Sequence, residues 1–343
     1  MFVEPLGLSA SAIPGAVAIG GTGPRFRHAL LWRRSAAGDS AAPFDVTAPP
    51  DEARGALAAI IAPRLPLLPG LPTGRPLVMG TINVTPDSFS DGGRFLAPDD
   101  AIAAGEAMIA AGADLIDIGG ESTRPGAAPV PRAVEQARIL PVIAALARRV
   151  PVSVDTRHAA TMRAALAEGA AIVNDVSALS HDPEAAAMVA EAGCPVILMH
   201  MRGTPETMRG LADYRCVALD VTEELAARVA AAEAAGIARG RIVLDPGIGF
   251  AKTAGQNLLL LARLGVLHQL GRPLLVGVSR KSFIGLVAGI ADPLARLPGS
   301  LAAGLAAIAA GAAILRVHDV AETVQALRVG AAIVAAASDA VAG

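Results

Sequence analysis

The chain has 343 residues and a formal net charge of -2, with 53% hydrophobic, 17% charged and 3% aromatic residues. That balance excludes disorder across the whole chain. Without a basic footprint or a dense Lys/Arg cluster it also argues against nucleic acid and anionic membrane surfaces as partners, leaving small molecules.

Two cysteines, Cys194 and Cys216, cannot build a disulfide framework or a zinc site and are read as reduced thiols. A cytoplasmic protein is therefore expected, and the start Met1-Phe2-Val3-Glu4 lacks the pattern of a secretory signal. The uncharged stretches Pro5 to Pro24 and Leu297 to Leu315 are broken by Gly and Pro, and the second reads as a buried helix followed by a strand.

In chain order, residues 1–72 form an N-terminal extension of unknown role. It is expected to hold a few strands, such as Arg27 to Trp32, packed against the larger C-terminal part, and to end in a Pro/Gly-rich run from Leu65 to Pro72. Residues 73–343 are read as one catalytic domain, close to the length of about 250 residues that eight βα units need. Short Val/Ile-rich runs alternate there with Ala-rich helical segments. The predicted strands are Leu77 to Val84, Asp114 to Gly119, Val150 to Asp155, Ala171 to Val176, Pro195 to His200, Arg241 to Asp245, Leu274 to Val278, and Ala313 to Val317. Pro98-Asp99-Asp100 opens the first helix of this alternation, and Gly112, Gly169 and Gly311 each precede a strand, as C-terminal glycine caps do. The predicted fold is α/β, a TIM (β/α)8 barrel with an N-terminal extension. Periodicity leaves an open doubly wound sheet as the alternative, which eight regular repeats and the lack of a glycine-rich dinucleotide loop disfavour.

In a parallel barrel the chemistry sits where strands run into loops. Every predicted strand ends in polar residues: Asn83-Val-Thr-Pro-Asp, Gly119-Gly-Glu-Ser-Thr-Arg-Pro-Gly, Asp155-Thr-Arg, Asn174-Asp-Val, His200-Met-Arg-Gly, Asp245-Pro-Gly-Ile-Gly-Phe, Ser279-Arg-Lys-Ser and Arg316-Val-His-Asp. Strand alternation sends Asn174 and Asp175 to opposite faces and puts Arg316 and His318 on one side. Asp155 precedes a helix start, so capping is its structural alternative. A scattered set of histidines, His158, His181, His200 and His268, is not read as a metal site.

These segments, in this order from about Val78 to Asp319, resemble the signature motifs of the dihydropteroate synthases, a family of pterin-binding enzymes. The resemblance implies a transferase of folate biosynthesis. It would condense 6-hydroxymethyl-7,8-dihydropterin pyrophosphate with p-aminobenzoate to give 7,8-dihydropteroate and pyrophosphate, with Mg2+ as cofactor, as a homodimer contacting through the seventh and eighth barrel helices. Asp155, Asn174, Asp245 and Lys281 are then assigned to the pterin, with Met199 and Phe250 as apolar walls. Asn83, Arg316 and His318, with Val317 between the last two, fall to the pyrophosphate, and Asn83 is the Mg2+ ligand. Thr123, Arg124, Pro125 and Ser282 are assigned to p-aminobenzoate. Asp155, Lys281 and Arg316 are the expected catalytic residues, and Asp117 is a buried support. Intact motifs disfavour a silent scaffold paralogue, and the anion-binding segments disfavour a pterin-binding methyltransferase. The sequence departs from the family pattern at Ala251, where glycine is common, and at Gly255-Gln256, where Glu-His is common. Both changes put the shape of that loop in question.

Overall fold

A computed structural model describes residues 1–9, 14–64, 66–85, 97–123 and 129–342, with side chains to 336. The chain opens with β1 (Phe2–Leu6), the two-residue β2 (Val17–Ala18) and β3 (Arg25–Phe26), the hairpin β4 (His28–Ser35) and β5 (Gly38–Asp45), and α1 (Arg54–Ile61). Strands β1, β4 and β5 form an antiparallel sheet with β4 in the centre. Apolar alternation along β4 buries Ala29 and Leu31 against Val3, Phe26, Val46, Leu57 and Ile60, so the extension carries a small core of its own.

It is tied to the rest by polar contacts. Buried Glu4 accepts from Trp32 Nε1 at 2.8 Å and from Arg263 Nη1 at 2.9 Å, and Arg34 reaches Asp220 and Glu223 at 2.5 and 2.7 Å.

Eight parallel strands come next: β6 (Leu77–Asn83), β7 (Leu115–Gly119), β8 (Val152–Asp155), β9 (Ile172–Asp175), β10 (Val196–Met199), β11 (Ile242–Asp245), β12 (Leu275–Val276) and β13 (Ile314–Val317). Their order is β11-β10-β9-β8-β7-β6-β13-β12, and a bridge between Leu244 and Leu274 joins the outer two. The ring is a (β/α)8 barrel. Around it run α2 (Pro98–Ala110), α3 (Arg132–Leu146), α4 (Ala159–Ala167), α5 (Ala185–Ala192), α6 (Val217–Ala234), α7 (Ala254–Ala262), α8 (Ser282–Ala288), α9 (Leu297–Ala309) and α10 (Val320–Ala342). Gly112, Gly169 and Gly311 adopt φ of 101°, 104° and 91° before their strands, a conformation that a Cβ resists. The stretch from Leu297 is α9 followed by β13, and among the described residues no helix is long and apolar enough to cross a membrane.

Alternation along the strands sorts the barrel interior into layers. Outward residues such as Val78, Ile116, Val154, Val196 and Leu244 pack under the helices in one large core. Inward residues at the bottom, Leu77, Met79, Leu115, Ile172, Ile197, Val243, Leu275 and Ile314, form an apolar floor that Leu67 seals from below. Burying each such side chain is worth about 1.5–3 kcal/mol. One layer higher the interior turns polar. Thr81 pairs in register with Asp117, and Asp117 with Ser153, all three buried. That change of chemistry marks where packing ends and the site begins.

Candidate active site

The next rung carries the functional side chains. Asn83 pairs in register with Gly119, Gly119 with Asp155, and Asp155 with Asn174, so four loops separated in sequence begin at one level. Met199 and Asp245 pair likewise on the next two strands. Above this rung opens a cavity of about 490 Å³ lined by Asn83, Thr123, Asp155, Asn174, Met199, Asp245, Phe250, Lys281, Ser282, Arg316 and His318. Asp245, Lys281 and Arg316 thus share one space.

Two assigned residues, Arg124 and Pro125, lie outside the described residues. Val317 differs from its assignment: alternation turns its buried side chain outward, against residues of α9 and α10.

At the bottom of the cavity Arg316 donates from Nε to Asp117 Oδ2 at 2.6 Å and from Nη2 to Asp155 Oδ2 at 2.9 Å. Asn174 Nδ2 also donates to Asp117 Oδ2, at 3.1 Å. Asp117 is therefore the hub that orients Arg316 and Asn174, a larger part than buried support. Asp155 does not cap the following helix. The amide of Ala159 donates instead to Asp182 at 2.9 Å. Burial raises the Asp155 carboxyl to about 7, against the Arg316 charge, which pulls it down, while Asp117 adds to the rise. Asp175 faces away from the cavity and binds Ser177 and Leu179.

Asp245 is also buried, which raises its pKa, while the amide of Gly247 donates to Oδ1 at 2.7 Å and favours the charged form. Lys281 places Nζ 4.4 Å from the centre of the Phe250 ring, a cation resting on an aromatic wall. The cavity thus offers carboxylate acceptors, an amide and an ammonium around a flat apolar face. A heterocycle with alternating donors and acceptors matches that set, and a mispaired buried edge costs about 1–3 kcal/mol per group.

Toward the mouth, His318 Nδ1 lies 3.0 Å from Ser279 Oγ. Arg280, held by Asp319 at 2.5 Å, and Arg296 also line the space. Cationic and hydroxyl groups gathered here suit an anion. Glu121, just past β7, takes a two-point contact from Arg157 at 3.1 Å and accepts the amide of Val130 at 3.0 Å.

Sequence reasoning missed Thr81, Ser122, Met208, Arg209 and Arg296 as lining residues. Arg296 follows no strand, so the rule that pointed to the others is silent on it. It also missed the polar cluster behind the Asp245 loop, in which burial draws the Lys252 ammonium down to about 7 and the His200 imidazole to about 4.

The family model described as pterin binding enzyme matches residues 79–318. The chain belongs to the pterin-binding enzyme family. The matched segment begins within β6 and runs past the end of β13, so it takes in the other seven strands of the barrel whole and every residue named as lining the cavity. The dihydropteroate synthase of Escherichia coli (strain K12) is 49% identical over 261 residues, covering 76% of this chain and 92% of the relative. A structure of Xanthomonas albilineans dihydropteroate synthase with 4-aminobenzoic acid superposes with a TM-score of 0.71 at 49% identity, over 76% of this chain and 93% of that one. Another from the same organism, in complex with 7,8-dihydropteroate, gives 0.69 at 45%, over 78% and 95%.

Proposed function

We propose that the protein is a dihydropteroate synthase, joining 6-hydroxymethyl-7,8-dihydropterin pyrophosphate to p-aminobenzoate. One observation carries this reading: Asp155, Asn174, Asp245, Lys281 and Arg316, from five separate strand ends, line a single cavity. Relatives named for this reaction, and a family member holding 7,8-dihydropteroate, support it.

In the proposed mechanism the bond between the pterin methylene carbon and the pyrophosphate oxygen breaks first, and its electron pair leaves with the oxygen. The amine of p-aminobenzoate then forms the new carbon–nitrogen bond and loses one proton. No protein nucleophile is needed. Asp245 and Asn174 hold the pyrimidine edge, Lys281 donates to the ring carbonyl and nitrogen, and ionised Asp155 stabilises the cation left after departure. Arg316 fixes Asp155 and adds positive charge, and His318 and the helix start at Val320 face the leaving group. Thr123 and Ser282 serve the aromatic carboxylate.

Mg2+ fits this site only as a partner of the substrate. Asn83 offers one neutral oxygen, and among the described residues no group of three His, Cys, Asp or Glu side chains could hold a metal ion. Gly119 leaves a gap beside it that a Cβ would fill, 3.7 Å from Asn83 Oδ1 and 3.4 Å from Asp155 Cβ. Asn83 is the residue that would hold such an ion, which would supply charge neutralisation to the leaving group.

A homodimer is part of the proposal, supported by exposed Leu305 on α9 and Val329 and Ile333 on α10. A cytoplasmic setting suits two free cysteines. Incubation with both substrates and Mg2+, followed by product analysis, tests the function: 7,8-dihydropteroate and pyrophosphate should appear in equal amounts, and no product would refute it.

A further inference from the structure

The segment from Asp245 to Ala251 forms one wall of the cavity, turned on itself by the amide of Phe250, which donates to Gly247 O at 3.1 Å, and tied to α7 by the amide of Gly249, which donates to Asn257 Oδ1 at 2.7 Å. Gly247, Gly249 and Ala251 all lie at positive φ, 66°, 86° and 48°. Glycine takes such conformations without steric cost, so Ala251 is the residue here whose backbone its surroundings must hold. The wall matters because it carries Ile248, Gly249 and Phe250 against the substrate space, and because Phe250 is the surface on which Lys281 rests.

Lys252 adds a tie from behind. It lines no part of the cavity, yet its Nζ lies 3.0 Å from Gly247 O, 3.0 Å from Phe250 O and 3.0 Å from His200 Nδ1. Three acceptors thus surround one nitrogen, within reach of every proton it can carry. Two are the carbonyls that begin and end the curved stretch, so one group fixes both.

The third acceptor is itself braced. His200 Nε2 lies 3.0 Å from Glu224 Oε2, so a proton on Nε2 leaves Nδ1 as the acceptor for Lys252. Glu224, on α6, is held in turn by Arg202 at 2.5 Å. His200 also donates its amide to Asp245 O at 2.9 Å. The approach is so close that a Cβ on Gly247 would sit 1.9 Å from His200 O, which explains glycine at that position. The Tyr214 ring lies beside Arg202 at 3.9 Å and covers the cluster.

We propose that Lys252, braced by His200, Glu224 and Arg202, is a positioning residue that sets the Gly247–Phe250 wall and thereby the affinity for the heterocyclic substrate. It touches no reacting atom. The inference rests on the function proposed for this cavity and adds a residue that acts on one substrate and not on the other.

The test is Lys252→Met, which keeps the length of the stem and removes the donors, compared with wild type in calorimetric titration of the pterin pyrophosphate with Mg2+ and no p-aminobenzoate. Expected is a weakening of about ten-fold or more, which corresponds to about 1.4 kcal/mol. Steady-state KM for the pterin pyrophosphate should rise by a similar factor, with KM for p-aminobenzoate and kcat each within about three-fold of wild type. Glu224→Gln, which loosens the brace while leaving Lys252, should move the same two pterin constants by about three-fold. It also serves if Lys252→Met fails to fold. Unchanged pterin affinity in a folded variant, or equal losses for both substrates, overturns the proposal. Inactive wild-type protein would instead remove the function on which it rests.

Discussion

Arg316 donates from Nη2 to Asp155 Oδ2 at 2.9 Å, a contact between residues 161 apart in sequence. The same guanidinium donates to Asp117 at 2.6 Å, so one cation compensates two buried carboxylates. Arg316→Ala should therefore do more than remove a positive charge from the cavity. It leaves Asp117 and Asp155 buried without compensation, with an expected loss of about 3–5 kcal/mol in stability. The double variant Arg316→Ala, Asp117→Asn should recover part of it. Denaturant titration of both proteins checks the order, and a single variant as stable as wild type would contradict it.

Asp155 makes activity and stability depend on pH in opposite directions. Its folded carboxyl is raised to about 7, chiefly by burial, so it holds a proton that the unfolded chain has released. The stability it confers is present at low pH and lost as pH rises through about 7. Stabilisation of a cation needs the ionised form, so turnover should climb over that same interval. Asp155→Asn should flatten that limb, cut kcat by about 100-fold, and raise the melting temperature at pH 8. A pH-rate profile that keeps its limb in the variant would remove Asp155 from this part.

Lys281 sits on Phe250 at the cavity wall. Lys281→Ala should lower kcat/KM by about 100-fold, with stability changed by less than about 1 kcal/mol, since the ammonium lines open space and not the packed core. Steady-state kinetics beside a melting curve separate the two effects. A folded variant with wild-type kcat/KM would refute the assignment.

Ala251 occupies φ of 48°, a conformation glycine takes without steric cost. Ala251→Gly removes roughly 1 kcal/mol of strain and returns a comparable entropy to the unfolded chain. Activity and melting temperature should both stay close to wild type. A marked loss of either would show that the methyl group has a packing role beside Met199 and Phe250.

Trp32 is the sole tryptophan and lies in the extension, donating to buried Glu4. Glu4→Ala takes the acceptor from both Trp32 and Arg263, at an expected cost of about 1–3 kcal/mol. Tryptophan fluorescence should report loosening of the extension at lower denaturant than turnover is lost. Coincident transitions would mean that the two parts unfold together.

Much of this fold can be read from the chain because a parallel barrel announces itself locally. Apolar runs of strand length, glycine caps and polar strand ends recur along it, and each predicted strand contains an observed one. What the chain does not announce is register. That Asn83, Gly119, Asp155 and Asn174 share a rung follows from how neighbouring strands are staggered, a property of the closed ring. The hub at Asp117 is hidden for the same reason, since its partners arrive from β9 and β13. Lys252 gives no sequence signal because its three acceptors include two carbonyls, which carry no residue identity. Gln256 does carry a local one. Thr253 and Gln256 form a reciprocal capping box at the start of α7, and Gln256 Nε2 also donates to Ala212 O at 2.8 Å. The departure from the family pattern at that position therefore starts a helix securely.

Leu67 and the ring of inward aliphatic side chains beneath Met79 stopper one end of the barrel. Among the described residues, the space above the Arg316 layer is therefore closed from below, and Thr123, Ser282 and Arg296 line it together with the rung of Asp155 and Asn174.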